Sequence, residues 1–144
     1  MKKLLALSAL LLSLVGCASV PMGDPAMDAK LKQFQVSPDK SAIYIYRNET
    51  MGTAVKMDVA IDGQPIGQTV ANTYLYKEVT PGKHVITSEA ENTSTLEVDA
   101  KPGSAVYVWQ EVKMGVLFAR NKLQEVSPAE GQAGVRETEL AVGQ

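Results

Sequence analysis

The chain has 144 residues, 14 basic and 16 acidic, with a formal net charge of −2, one cysteine and one histidine. That length suits one compact domain plus a short leader. The charge balance excludes the footprint of a nucleic-acid binder, the lone cysteine excludes an internal disulfide, and one histidine cannot supply the ligand set of a zinc site.

The N-terminus reads as an address. Lys2 and Lys3 precede an uncharged apolar run over residues 4–15, the layout of a secretory signal. As a helix this run would span about 18 Å, short of the roughly 30 Å hydrocarbon core. A signal peptide is therefore the better reading than a membrane-spanning helix. Leu14-Val15-Gly16-Cys17 resembles the lipobox of bacterial lipoproteins. The resemblance implies a thioether to diacylglycerol on Cys17, cleavage before it, and acylation of the freed amine. One acyl chain holds weakly and two or more hold firmly. Ala18 follows Cys17 where an aspartate would favour inner-membrane retention, so the resemblance implies the outer membrane, facing the periplasm.

Three regions are expected: a signal peptide over residues 1–16, a lipidated N-terminus with tether and short helix over 17–37, and a β-domain over 38–144. The mature part, residues 17–144, carries 12 basic and 16 acidic side chains, net −4. Overall, that gives no basic patch for anionic headgroups. Residues 18–23 are expected to be a tether reaching about 20 Å. Asp24-Pro25 suits a helix start, with Met27, Leu31 and Phe34 on one face and Asp28 and Lys32 spaced for an ion pair.

From residue 38 the pattern alternates with period two. Strands are expected over residues 41–48, 55–61, 73–79, 84–90, 95–100 and 105–113, with a seventh within 116–126. Asp62-Gly63, Pro81-Gly82 and Pro102-Gly103 supply tight turns. Ser127-Pro128-Ala129-Glu130 has the capping-box pattern of a short helix, weakened by Gly131 and Gly134. Short strands at regular spacing predict a mainly β fold, an antiparallel sandwich of about seven strands with short flanking helices at the N- and C-terminal ends.

Three stretches carry a family resemblance: residues 42–47 (AIYIYR), 59–67 (VAIDGQPIG) and 79–84 (VTPGKH), joined by 102–108 (PGSAVYV). They resemble small bacterial lipoproteins of the domain-of-unknown-function 2846 family, and the middle part resembles a PEGA-type β-sandwich module. The resemblance spans most of residues 40–126 and includes the lipobox. It implies a periplasmic, lipid-anchored β-domain and carries no catalytic residues.

Chemistry-bearing residues are sparse. His84 sits at a strand start after a turn and is expected to be solvated. Glu89 with Glu91, and Glu97 with Asp99, lie at i, i+2, the spacing of a solvated polar face or an acid pair. Tyr44 with Tyr46, Tyr74 with Tyr76, and Tyr107 with Trp109 form three aromatic pairs at i, i+2, each on one strand face. Ile43 with Ile45 and Val106 with Val108 make the opposite faces apolar too, so two of these strands should be central and covered on both sides. Cross-strand packing is the expected role of the aromatic pairs, and a ligand platform is the rival. Arg47 and Arg120 are expected in surface ion pairs, with a carboxylate clamp by Arg47 as the alternative.

No catalytic set, metal or cofactor is expected. The functional expectation is a non-enzymatic envelope binding module, membrane-held by lipid on Cys17, with an envelope protein or peptidoglycan as partner. The alternative is a glycan or small-ligand binder using Tyr44, Tyr46, Arg47, Tyr74, Tyr76, Tyr107 and Trp109.

Overall fold

A computed structural model of the protein describes residues 19–50 and 55–143. The signal-like run, the lipobox and Cys17 lie outside the described residues. Helix α1 is Pro25–Leu31, followed by strands β1 (Ser41–Arg47), β2 (Met57–Ile61), β3 (Gln64–Thr69) and β4 (Thr73–Val79). Strands β5 (Gly82–Glu89), β6 (Thr93–Ala100), β7 (Ala105–Met114) and β8 (Ala119–Val126), then helix α2 (Pro128–Arg136) and the short β9 (Glu139–Leu140) complete the described elements.

The fold is mainly β and two-layered, as the alternation predicts, with nine strands among the described residues. One sheet runs β8-β7-β1-β4-β9 and the other β3-β2-β5-β6. β3 was hidden by Pro65 and Gly67. The Asp62-Gly63 turn, with φ of 51° and 78°, folds that segment back on β2. β3 is an edge strand, where proline is tolerated. Two pairings depart from the expected antiparallel plan: β1 runs parallel to β7, and β9 parallel to β4.

β1 and β7 are interior strands of their sheet, and β1 is buried along its whole length. Period two sorts β1 between two cores. Ile43 and Ile45 join Val59, Ile61, Leu75, Ile86 and Val108 between the sheets. Tyr44 and Tyr46 join Tyr74, Tyr107, Val135 and Leu140 on the outer face, beneath the helices.

Asp24 caps α1 through its side chain, as predicted, and Asp28 meets Lys32 at 3.2 Å. The expected Met27–Leu31–Phe34 stripe is corrected. The helix ends at Leu31, and Phe34 turns onto the tyrosines from a left-handed backbone at φ 57°. Ser127 caps α2, which runs its full nine residues despite two glycines. The tether is corrected as well. Val20 is buried in the core, Met22 bridges Ala141, and Gly23 N–H donates to Leu140 at 2.8 Å. The chain is part of the domain from Val20 onward.

The register defines two ends of the sandwich. Arg47 pairs with Thr73, so the 70–72 turn lies at the C-terminal end of β1, with the loop into β2. The 90–92 turn and the β7–β8 turn lie at that end too. The turns at 62–63, 80–81 and 101–104 lie at the other. Among the described residues, no helix is long and apolar enough to cross a membrane.

Candidate functional site

The aromatic face is a roofed core. Tyr44, Tyr46, Tyr74 and Tyr107 are buried, while Tyr76 and Trp109 are half-buried. Tyr44 stacks on Tyr107 at 5.2 Å between centroids, and Phe34 closes over both, tilted to Tyr44 and edge-on to Tyr107. The hydroxyls fasten the roof. Tyr44 donates to Leu31 O at 2.7 Å, and Tyr74 to Asp28 Oδ1 at 2.6 Å. Burial, with the Asp28 carboxylate beside Tyr74, holds both hydroxyls well above the usual phenol range. Burial, then Glu130 and Glu137, push Tyr46 up to about 12. A six-ring open platform therefore does not form.

What stays accessible is a shallow cleft of about 230 Å³ beside α2, lined by Tyr46, Asn48, Trp109, Glu130, Gly134 and Glu137. Asn48 Nδ2 donates to Glu137 across it at 2.9 Å. Trp109 Nε1 is enclosed without an acceptor among the described residues. An aromatic edge, an amide and two carboxylates in one cleft can stack on a ring and accept hydrogen bonds from hydroxyls or amines.

Arg47 is corrected on two counts. Its parity matches Ile43 and Ile45, so it points between the sheets, away from the tyrosines. Its side chain is fully buried, pairing with Glu49 at 2.5 Å and donating to Val55 O at 2.8 Å. A second buried network neighbours it. Thr69 donates to Gln110 at 2.6 Å, Gln110 to Ser88 at 2.7 Å, and Asn121 to Asn92 and Ser88 O. Gln110 escaped the sequence reading, although it shares parity with Val106 and Val108. Arg120 is exposed and lies opposite Lys113 in the β7–β8 register, while Lys113 itself meets Glu111 at 3.4 Å.

His84 is nearly buried rather than solvated, and both ring nitrogens are engaged. Nδ1 meets Asp62 Oδ2 at 2.5 Å, and Nε2 meets Thr80 O at 2.6 Å. Burial pulls its pKa down, but those two acceptors outweigh burial, and the net shift is upward. The Val85 N–H, then His84, hold Asp62 below the usual carboxylate range. With Nε2 committed to a carbonyl, this pair clips two turns together and leaves no nitrogen open to take a proton from a substrate.

The other acids are separate. Glu97 faces Lys83 at 3.7 Å, and Asp99 faces Lys101 at 2.7 Å. Glu91 lies beyond the end of β5, where its carboxylate accepts the N–H groups of Val116, Leu117 and Phe118. Among the described residues, no three His, Cys, Asp or Glu side chains cluster as metal ligands.

Fold and site together define a two-sheet β-sandwich whose aromatic outer face is roofed by helices, with one shallow acidic-aromatic cleft beside the roof. The chain belongs to the DUF2846 family of proteins of unknown function, whose profile matches residues 37–121. It is 36% identical over 137 residues to an uncharacterized protein of Haemophilus influenzae, covering 93% of this chain and 80% of that relative. No solved structure matches the chain significantly.

Proposed function

We propose that this protein is an outer-membrane-anchored, periplasm-facing lipoprotein that acts as a non-enzymatic binding module for another envelope component, either a protein or peptidoglycan. The observation that carries this reading is the docking of residues 20–23 onto β9. With Cys17 acylated, only Ala18 and Ser19 separate the anchor from the folded domain. The domain then rides against the membrane and presents its remaining surface to the periplasm. The lipobox-like 14–17 segment supports the anchor, and the engaged state of His84 supports a binding rather than a catalytic role.

The test has two parts. Mass spectrometry of the native protein should show an N-terminal acylated Cys17, and membrane fractionation should place it with the outer membrane. In-cell crosslinking should then return a reproducible envelope partner or binding to cell-wall sacculi. An unmodified chain in the soluble fraction would falsify the anchor.

A second reading rests on the cleft: a glycan or small ligand stacked on the half-buried Trp109, with Asn48 and Glu137 as hydrogen-bonding partners. Trp109 is the sole tryptophan, so its fluorescence reports the cleft alone. A saturable change with muropeptides, abolished in Trp109→Phe by calorimetry, supports this reading. A flat titration at millimolar ligand removes it.

A further inference from the structure

We propose that the β7–β8 turn, residues 114–118, enters the lipid bilayer beside the N-terminal anchor and gives the domain a second, orienting membrane contact. This inference rests on the lipid-anchor reading above.

Met114, Val116, Leu117 and Phe118 form one contiguous apolar tip, each between 69% and 88% exposed. Four large apolar side chains in five residues make a patch that a soluble surface normally avoids. The alternating pattern of the hairpin stops at Met114↔Ala119, so burial within this chain does not explain them.

The tip lies at the anchor's end of the sandwich. β7 runs parallel to β1 with Tyr46 beside Trp109, which puts Gln110 level with Arg47. Met114 is four residues further, about 13 Å past that level. Ser19 sits with Ala71, Asn72 and Thr73, and Thr73 pairs with Arg47, so the described chain begins at the same end. Cys17 is two residues before Ser19, within about 7 Å of it by covalent geometry. Strand spacing puts β7 and β4 roughly 10 Å apart. A lipid on Cys17 and the tip therefore face one plane.

The turn's N–H groups are already satisfied. Gly115 N–H donates to Phe118 O at 2.9 Å, and the next three N–H groups donate to Glu91 at 2.9–3.2 Å. An aqueous turn needs no such arrangement, because water supplies partners. A turn entering an apolar medium does need it. These N–H groups also hold the Glu91 carboxyl below its usual range.

The surrounding charge is mixed. Lys113 and Arg120 lie opposite each other directly behind the tip, with Lys113 held by Glu111 at 3.4 Å, and Lys56 shares a groove with Phe118, Asp58, Glu89 and Glu91. Basic and acidic side chains are mixed at this end, so the apolar tip rather than a basic patch supplies the membrane contact.

The test uses the full lipidated chain. Its only natural cysteine is Cys17, so Leu117→Cys offers a single free thiol for an environment-sensitive NBD label. Lys101→Cys, at the opposite end, is the aqueous control, and Val116→Cys is a second tip position should the first perturb folding. The protein is reconstituted in phosphatidylethanolamine–phosphatidylglycerol vesicles and quenched with doxyl-lipids. We expect blue-shifted emission at 116 and 117 and roughly threefold stronger quenching than at 101, as interfacial burial requires. A chain that floats with the vesicles but whose tip labels stay as aqueous as the control overturns tip insertion alone. A chain that fails to float overturns the anchor and this inference together. Tip labels aqueous on vesicles but shielded in intact envelopes overturn it in favour of a protein partner.

Discussion

Gly134 lies flat against the ring of Tyr46: a Cβ built on it would sit 2.2 Å from Cε2. Gly131 makes the same approach to Tyr107, at 2.1 Å. These two glycines, one turn apart on α2, let the helix backbone rest directly on the aromatic face. Each lowers helix propensity by about 1 kcal/mol relative to alanine. The close approach they permit is what seats the roof.

Replacing Gly134 with alanine should therefore destabilise the domain, although alanine is the better helix former. Overpacking of a buried contact costs about 1–3 kcal/mol, against the propensity gain of about 1 kcal/mol. Gly131→Ala should behave alike. Urea unfolding checks both; a rise in midpoint for either variant contradicts the packing account.

Arg47 is the largest fully buried side chain. Arg47→Met should cost about 3 kcal/mol or more, because Glu49 and two backbone carbonyls lose their donor while remaining enclosed. The Glu49 side chain keeps 20% exposure, which places the loss at the lower end of the buried-pair range. The double variant Arg47→Met with Glu49→Leu should recover part of it. A double variant less stable than the single one would contradict this pairing.

The His84–Asp62 clip predicts a pH dependence. His84 has its folded pKa raised above 6.5, so its contribution is complete below about 6.5 and is lost as pH rises through the folded value. Asp62 has its folded pKa lowered, so its contribution is present above about 3.8 and is lost as pH falls through the folded value. Wild type should exceed His84→Gln in Tm most between these limits, near pH 5–6, with the gap narrowing as pH rises through the folded value. A gap that widens on going alkaline reverses the sign.

All five tyrosines are held above the ordinary value of 10, chiefly by burial. At pH 10 the folded chain should show well under half of its phenols ionised by ultraviolet absorbance, with a jump to about half on unfolding in urea. By linkage, this burial stabilises the domain below about pH 10 and the contribution fades as pH rises through the folded values. Folded and unfolded absorbance titrations that coincide would place the rings in water.

Local chemistry made the β class, the turns, both helix starts and the central position of β1 and β7 legible in the chain. Period-two alternation, Asp-Gly and Pro-Gly turns and capping side chains act over a few residues, so they read directly. Parity also placed Arg47 on the Ile43 and Ile45 face, a signal that was present but outweighed by its neighbouring tyrosines. The roof over the aromatic face was not legible, because a tyrosine pair looks the same under a helix or in water until Gly131, Gly134 and Phe34 arrive from distant positions. Nor was the exposed tip, since Val116, Leu117 and Phe118 read locally as strand. Their exposure follows from where the β7–β8 pairing ends and from Glu91, a residue far away in sequence, gathering their N–H groups. Contacts between distant segments set those outcomes, and no local pattern encodes them.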